Sequence, residues 1–397
     1  LMGPIGSMST QALASWGPDA GEWRHFPGFG RDGQALHDAV PPERWCISRS
    51  DLVFLKSAIH EAIIERTPRH LKPPREQDSF FDEKIGPSMH AAVKLYVKPL
   101  TKRAGNMSWA LLRHPEGLEC DVFITHCWDE GVFEFIDKVL NSWPMGKRGA
   151  WCCVFANPQN LDISAMITNP AMSPFAAALR SASHVMAVPT QRTSIYQRVW
   201  CVYEAYLAVE NDSIVFTAVS PLDFDAMRYV PTVLCIFVAG AFSTCIFTPF
   251  LGTLGVLLML QIVNWPSFAQ VINAMGFFVS SGAFVWNLRR CWKLGSHKAF
   301  FQNDESSATI TIGMFCMRIW VWVVLQLYFC ASELDRLSAN RARKEASQLH
   351  CGYEGVEAAK ASVQSDKDRI MEDIGDKVQE VDAHIEVLIS AGTSTRC

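Results

Sequence analysis

The sequence predicts an α/β domain, a parallel sheet flanked by helices, followed by a transmembrane helical bundle and a helical C-terminal tail. Between residues 119 and 228, short apolar runs alternate with amphipathic segments, which is typical of parallel strands joined by helices. The segment 229–288 contains no Asp, Glu, Lys or Arg, so it is apolar enough for a bilayer. Residues 333–391 are polar and have the periodicity of helices.

The composition argues against several classes of protein. A net charge of −4 and a pI of about 6.3, with no basic stripe, do not favour nucleic-acid binding. The 13 cysteines include no Cys-x-x-Cys pair, which indicates neither a zinc framework nor a small secreted disulfide scaffold. We therefore expect a reducing compartment for the N-terminal part. No charged-then-apolar leader is visible, and residues 1–228 are expected to be cytoplasmic.

Two segments precede the α/β domain. Residues 1–45 are rich in Gly, Pro and Trp, and they predict an irregular lead-in. Residues 46–118 predict a helical extension with one helix over 48–66 and a second over 87–100. Prolines between the two helices end the first one, because proline cannot continue a helix.

The α/β domain at 119–228 contains four strand-like and three helical segments. The strand-like segments are short and apolar: Asp121–Thr125, Trp151–Phe155, Ser183–Val188 and Ser213–Ala218. The helical segments have amphipathic spacing: Glu134–Leu140, Pro174–Arg180 and Ser194–Ala208. Asp129 and Glu130 predict an N-terminal cap for the first of these helices. Ligands on such sheets bind beyond the carboxyl ends of the strands, which here carry Thr125 to Asp129, Ala156-Asn157 and Pro189-Thr190.

Residues 229–331 predict three or four membrane spans, since about 20 apolar residues cross a bilayer. The last span, Ala308–Ala331, is interrupted by Arg318, which should face protein or water because a charge in lipid is costly. Basic residues flank this span on both sides, so the positive-inside rule leaves the topology open. With four spans, which we favour, the tail returns to the side of residues 1–228; with three it does not.

The tail, 332–397, contains a seam of apolar residues spaced by three or four positions: Ile370, Ile374, Val378, Val381, Ile385 and Leu388. This spacing is typical of a short coiled coil. The seam can dimerise the chain or pack on its own domain, and Gly375 weakens it because glycine is a poor helix former. We interpret the seam mainly as an oligomerisation device.

Two motifs resemble those of a known family. Asp121-Val-Phe-Ile-Thr forms the first predicted strand, and Ser194-x-Tyr-x-x-x-Trp-Cys-x-x-Glu204 runs into a later helix. Together with the order of the elements, they resemble a TIR domain. The chain looks closest to the TIR-like, multi-span membrane proteins of protists such as dinoflagellates. The match covers residues 120–220 and implies a TIR/flavodoxin-like sheet; the Trp-Cys-x-x-Glu motif carries most of its specificity.

The resemblance implies one of two activities. Some TIR domains hydrolyse the glycosidic bond of NAD to nicotinamide and ADP-ribose or a cyclic product, whereas others are adaptors without activity. In the enzymatic members the glutamate of this motif is catalytic, which implies that role for Glu204, with NAD as the substrate and no cofactor or metal. The segment Asn157–Ser173 would gate the pocket. The substrate would contact side chains near the strand ends, Trp128 and Trp200 by stacking and Thr125, Asp129 and Asn157 by hydrogen bonds.

Several alternatives remain open from the residues alone. Glu204 can be a catalytic carboxylate or a solvated or interface charge. Cys201 fits a small buried group better than a nucleophile, because no partner histidine is fixed by the sequence. His126-Cys127 and Cys152-Cys153 could meet at one strand edge as a metal site or a thiol pair. Strand alternation lets only one member of each pair converge.

The sequence departs from the family in three respects. Thr125-His-Cys-Trp replaces the commoner Ser-containing first turn, and Ala205 stands where plant-type domains have Leu. The final strand and helix of a TIR domain have no counterpart, because membrane-like sequence begins at Tyr229. One sheet edge then needs another cover, which helices within 48–100 can provide. Three functions remain: a membrane-anchored NAD hydrolase, which we expect; a membrane adaptor that recruits other TIR-like domains or copies of itself; and a channel or transporter with a cytosolic sensor domain.

Overall fold

A computed structural model of the chain describes residues 25–66, 81–164, 166–189, 194–221, 269–296, 305–350, 353–361 and 363–391. At 290–296, 305–319, 341–342 and 345–350 it describes only the helical backbone. The chain divides into two units, Leu1–Pro221 with Arg341–Cys397, and Leu222–Asn340. The first 24 residues of the predicted lead-in, the predicted spans within 229–268 and the strand-end residue Thr190 lie outside the described residues.

The first unit is built on a five-stranded sheet. Its strands are β1 (Ile47–Ser48), β2 (Val122–Thr125), β3 (Gly149–Cys152), β4 (His184–Ala187) and β5 (Ile214–Thr217), in the order β1-β3-β2-β4-β5. Strands β2 to β5 are parallel to their neighbours, as predicted, but β1 is antiparallel to β3. The sheet is therefore mixed and not purely parallel, because the extension contributes an edge strand of two residues, too short to show alternation. The α/β class is confirmed, and the order of the parallel strands is compatible with a flavodoxin-like core.

Helices flank this sheet and continue the chain. Those that precede β2 are α1 (Gly33–Ala39), α2 (Arg49–Arg66), α3 (Met89–Ala92), α4 (Lys98–Ala104) and α5 (Trp109–Arg113), with a π-helical turn at Val93–Val97. Those between the later strands are α6 (Val132–Ser142), α7 (Cys153–Ala156), α8 (Pro174–Ser181) and α9 (Val199–Glu210). Beyond β5 the described helices are α10 (Ala269–Ser296), α11 (Glu305–His350), α12 (Gln364–Ile374) and α13 (Val378–Ala391). The strand predicted at Trp151–Phe155 ends early, because Cys153 begins α7.

The N-terminal extension and the sheet share one hydrophobic core. Trp45, Trp109 and Trp151 are all buried in it. The indole of Trp151 stacks on Phe123 of β2 at 5.1 Å between ring centroids, and its Nε1 donates to the Pro42 carbonyl at 3.1 Å. The extension thus covers the β3 side of the sheet. At the other edge the structure describes no strand beyond β5.

The second unit contains two described helical segments that pack against each other. Their contact is apolar and involves Ile272, Val279, Ala283, Trp322 and Phe329. A Cβ atom at Gly276 would lie 2.1 Å from the Phe329 ring, so this close approach requires glycine. Ala269–Arg289, with a mean hydropathy of 1.4, is the one helix in the described part of the chain that is long and apolar enough to cross a membrane. The predicted bundle of three or four spans is not shown. The span predicted at Ala308–Ala331 lies within α11, and the side chain of Arg318 is outside those described.

The C-terminal tail packs on α9 within the first unit. Its seam is broken into α12 and α13 at Gly375, which has a φ of 59°. Four seam residues are buried in one cluster with residues of α9: Ile370, Ile374, Val381 and Ile385. The Tyr203 hydroxyl donates to Asp373 Oδ2 at 2.5 Å, which adds a polar contact to the same interface. The seam therefore packs on its own domain, the second alternative drawn from the sequence, and these four side chains are covered within the chain. Oligomerisation through the seam stays a prediction.

Candidate functional site

The carboxyl edge of the sheet changes direction between β2 and β4. The chain leaves β2 through α6 to reach β3 on one side, and then returns through α8 to β4 on the other side. Connections on either side of such a point diverge and leave a crevice, where open α/β sheets bind their ligands. Thr125 ends β2 and is paired with Ala187 at the end of β4, so these two residues mark the crevice.

Glu204 on α9 lies beside Thr125, at this edge of the sheet. Helix α9 begins at Val199, after a 3-10 turn at Ile195–Gln197, and the tail helices cover its apolar side. The side chain of Glu204 is 5% exposed, although the sequence leaves open whether it is solvated. Burial raises its pKa to about 7, while Thr125, His126 and Arg198 act in the opposite direction. At neutral pH the carboxyl group is therefore poised between its protonated and ionised forms.

The hydroxyl of Thr125 is the second unusual group in the crevice. It is buried and lies beside the Glu204 carboxyl and the Cys201 thiol, where it lowers the pKa of both acids. Its Oγ1 nevertheless makes no hydrogen bond of ordinary geometry with any residue that the structure describes. Buried hydroxyls are nearly always paired, because an unpaired one loses its hydration without compensation. This orphan hydroxyl is the kind of group that a ligand or a water molecule satisfies.

Arg198 supplies positive charge to the same place. It directly precedes α9, and its guanidinium is only partly exposed. Burial lowers the pKa of Arg198, but the acidic groups of Cys201, Cys127, Cys153 and Glu204 raise it above its usual value. Sequence reasoning missed this residue. The available signal was that Arg198 is the one basic residue in the segment 194–208.

A thiol, an imidazole and a carboxyl group form a chain at the adjacent strand ends. His126 follows β2, and its Nδ1 lies 2.6 Å from Glu130 Oε1. The Sγ of Cys153 lies 3.3 Å from the other imidazole nitrogen, Nε2. Cys152 also lies beside this imidazole, which lowers the pKa of its thiol against the larger effect of burial, which raises it. Both members of the pair Cys152-Cys153 therefore approach His126, and the prediction that only one member of each pair converges was wrong, because Cys153 lies in the turn after the strand, where strand alternation no longer applies. The prediction that Glu130 caps α6 was wrong. Its side chain turns back to His126, and Gly131 occupies the N-cap position. The described residues include no cluster of three or more metal-binding side chains.

Trp128 and Asp129 follow β2 but turn toward α3. The Trp128 ring lies 5.1 Å from the ring of His90, and Asp129 Oδ1 lies 3.8 Å from His90 Nε2. Asn157 is buried at the end of α7, where its carbonyl accepts a hydrogen bond from Gln159 at 3.2 Å. The structure thus brings Thr125 to Glu204 and shows Trp128 and Asp129 in contact with the extension.

Trp200 lies between α8 and the tail. Its ring stacks on Phe175 at 5.0 Å, and its Nε1 donates to Asp366 Oδ2 of α12 at 3.4 Å. One ring face and the indole N–H are thus occupied by the protein itself. The predicted gating segment, Asn157–Ser173, is attached to α4 through Asn160, whose Nδ2 donates to Thr101 Oγ1 at 2.9 Å.

No protein-family model, no curated protein and no solved structure matches this chain. The function is therefore inferred from the chemistry of the site and from the motifs of the sequence. Those two sources meet at one residue, since Glu204 is both the glutamate of the Trp-Cys-x-x-Glu motif and the buried acid at the carboxyl edge of the sheet.

Proposed function

We propose that this chain is a membrane-anchored, TIR-like NAD glycohydrolase with Glu204 as its catalytic carboxylate. The observation that carries the proposal is the position of Glu204: a buried acid with a pKa of about 7, beside the orphan Thr125 hydroxyl, at the crevice between β2 and β4. Such crevices are the usual ligand sites of open α/β sheets.

The chemistry of NAD cleavage suits these groups. Nicotinamide leaves as a neutral molecule from a cationic precursor, so the transition state is an oxocarbenium-like ribose. A fixed carboxylate next to the ribose stabilises that charge, and the low polarity that raises the pKa of Glu204 strengthens the interaction. Water then adds to the ribose carbon, which yields ADP-ribose and releases one proton that Glu204 can accept.

Two neighbouring groups would hold the substrate. The Thr125 hydroxyl would bond to a ribose hydroxyl, which would satisfy its missing hydrogen bond. Arg198 would pair with the pyrophosphate, because a guanidinium matches phosphate geometry and its charge already faces Glu204. The cationic nicotinamide ribose would then shift Glu204 toward its ionised form.

The exposed apolar surfaces of the second unit support membrane anchoring. The described part of α11 exposes several large apolar side chains by half or more: Trp320, Val321, Val324 and Leu327. Soluble proteins rarely expose such a stripe unless it contacts a partner or a lipid bilayer. The apolar helix Ala269–Arg289 belongs to the same unit. An adaptor role remains the second candidate, because the outer edge of β5 has no described partner and Ile214 on it is half exposed.

The test is release of nicotinamide from NAD by the full chain in detergent, followed by chromatography. We expect Glu204→Gln to reduce the rate by about 10²-fold or more, as loss of a preorganised transition-state contact does. Glu210→Gln is the matched control, since Glu210 lies on the same helix, is exposed and pairs with Lys377. Equal rates in the wild type and the Glu204 variant would refute the assignment. Absence of release from a folded wild-type chain would favour the adaptor.

A further inference from the structure

The chain of Cys153, His126 and Glu130 has the connectivity of a nucleophile, a base and a group that orients the base. The Sγ of Cys153 can donate to His126 Nε2 across 3.3 Å, and His126 Nδ1 can donate to Glu130 Oε1 across 2.6 Å. Nucleophilic cysteines and serines are recognised by this arrangement and not by their position in a sequence. None of these three residues is the carboxylate or the hydroxyl assigned to NAD cleavage.

The fold explains why the three side chains meet. Strands β2 and β3 are adjacent and parallel, with Ile124 opposite Cys152, so the residues that follow each strand emerge side by side. Glu130 lies four residues after His126, in the turn that leads into α6. Cys153 stands at the junction of β3 and α7, a sharp strand-to-helix turn that presents its side chain at the edge of the sheet.

His126 and Glu130 are buried, whereas Cys153 is partly exposed, as a nucleophile that meets a substrate must be. The side chains of His126 and Glu130 are 1% and 2% exposed, so their geometry is held by the core. Cys153 is partly exposed, whereas the other cysteines described in the first unit are all buried: Cys46, Cys120, Cys127, Cys152 and Cys201. Burial also raises the pKa of the neighbouring Cys152 to about 11, which keeps that thiol protonated at neutral pH. Cys153 is therefore the thiol that can meet both the base and a substrate.

The state of the imidazole fits this role. Burial lowers the pKa of His126, but the acidic groups of Cys152, Cys153 and Glu130 raise it well above its ordinary value. With Nδ1 held by Glu130 Oε1 at 2.6 Å, the imidazole presents Nε2 to the Cys153 thiol. Burying two ionisable groups in contact is costly for stability, since burial raises the pKa of Glu130 and apolar side chains of similar volume often serve as well.

We propose that Cys153 is an acyl-accepting nucleophile for activated carbonyl compounds, esters or thioesters, with His126 as its base and Glu130 as a positioning residue. The proposal is independent of NAD cleavage by Glu204. In the forward step, the Sγ proton passes to His126 Nε2 and sulfur bonds to the carbonyl carbon. The bond from that carbon to the leaving oxygen or sulfur then breaks, and Nε2 returns the proton to the leaving group. The products are S-acyl-Cys153 and an alcohol or thiol, and water can release the acid in a second, analogous step.

The experiment uses the full chain in detergent with two acetyl esters, p-nitrophenyl acetate and phenyl acetate. Acetylation of Cys153 is followed by mass spectrometry of its peptide, with N-acetylcysteine in the same buffer as the reference thiol. We expect Cys153 to react with p-nitrophenyl acetate about 10²-fold faster than the reference, in line with general acid–base catalysis. Cys153→Ser should show no acetylation at residue 153.

Glu130→Gln distinguishes positioning from mere packing. The p-nitrophenolate group leaves without a proton, whereas phenolate needs one from a correctly oriented imidazolium. Glu130→Gln should therefore slow reaction with phenyl acetate at least tenfold more than reaction with p-nitrophenyl acetate. Asp137→Asn on α6 is the control, because its carboxylate pairs with Lys56 and not with His126. Reaction of Cys153 no faster than the reference, or equal slowing of both esters by Glu130→Gln with an unchanged circular dichroism spectrum, would overturn the proposal.

Discussion

Asp51 and Glu204 are both buried carboxylates of the first unit, but their surroundings are opposite. Asp51 accepts hydrogen bonds from the Ser48 amide at 2.7 Å and from Arg113 at 2.7 Å, and His114 Nε2 lies 2.6 Å away. Burial raises its pKa, yet these donors hold the pKa of Asp51 well below its usual range. Glu204 has no comparable set of donors among the described residues, and its pKa is raised to about 7.

The difference separates a structural acid from a candidate functional one. Ser48 and Asp51 cap the start of α2 reciprocally, so the carboxylate of Asp51 has its full complement of partners. Glu204 sits beside an unpaired hydroxyl and a guanidinium, which leaves part of its hydrogen-bonding capacity for something else. Perturbed acids in clefts with unsatisfied neighbours are typical of functional sites.

The largest change in stability is expected from replacing Asp51, whose hydrogen bonds are all made within the protein. Asp51→Ala should lower the free energy of unfolding by about 4 kcal/mol, because Arg113 and His114 lose their partner and the α2 cap is lost. The pKa of Asp51 is depressed in the folded state, so its contribution is present above the pKa of the unfolded chain and disappears as pH falls through the folded pKa.

Urea unfolding at pH 7 and at low pH measures both parts of this prediction. Asp137→Asn is the control, since its ion pair with Lys56 is about a third exposed on both sides and should contribute little. A loss below about 1 kcal/mol for Asp51→Ala would remove the contrast between the two acids.

Replacement of Glu204 should change stability in the opposite direction above pH 7. The folded chain holds the Glu204 proton up to a pKa of about 7, compared with 4.5 for an ordinary glutamate, so stability falls as pH rises through this window. Glu204→Gln removes that loss, and above pH 7 it should be more stable than the wild type by up to about 3 kcal/mol. Thermal unfolding at pH 4 and pH 8 tests this. An equal difference at both pH values would mean that Glu204 does not titrate in this window.

The smallest effects should come from two hydroxyl groups with opposite roles. Thr125→Val removes an orphan hydroxyl and should leave stability unchanged or raise it by about 1 kcal/mol. Ser48→Ala removes a cap and should cost about 1 kcal/mol. Urea unfolding of the two variants side by side makes the comparison. A clear loss of stability in Thr125→Val would show that its hydroxyl has a partner in the protein, which would weaken the case for a ligand at this position.

Much of the α/β domain could be predicted from local pattern. The four parallel strands and the helices between them follow from apolar runs and amphipathic spacing, and the motif around Glu204 singled out a residue that is buried beside Thr125 at the carboxyl edge of the sheet. The end of β3 could not be placed, because the apolar run Trp151–Phe155 has no period that separates a strand from a buried helical turn.

Contacts between residues that are distant in the sequence could not be predicted. The pairing of Ile47 with Ala150, and the approach of Cys153 to His126, depend on how the whole sheet assembles. The periodicity of the tail shows that one face of each helix is buried, but not what covers it. The local sequence does not distinguish a face covered by a partner chain from a face covered by α9.

The inclusion of Arg341–Cys397 in the same unit as Leu1–Pro221 constrains what lies between them. Both ends of the segment Leu222–Asn340 are tied to one folded body, which occupies a single side of any membrane. A segment with both ends on one side crosses a bilayer an even number of times or not at all. With the tail docked on α9, we therefore expect an even number of crossings in any membrane insertion of this segment, which favours four spans over three.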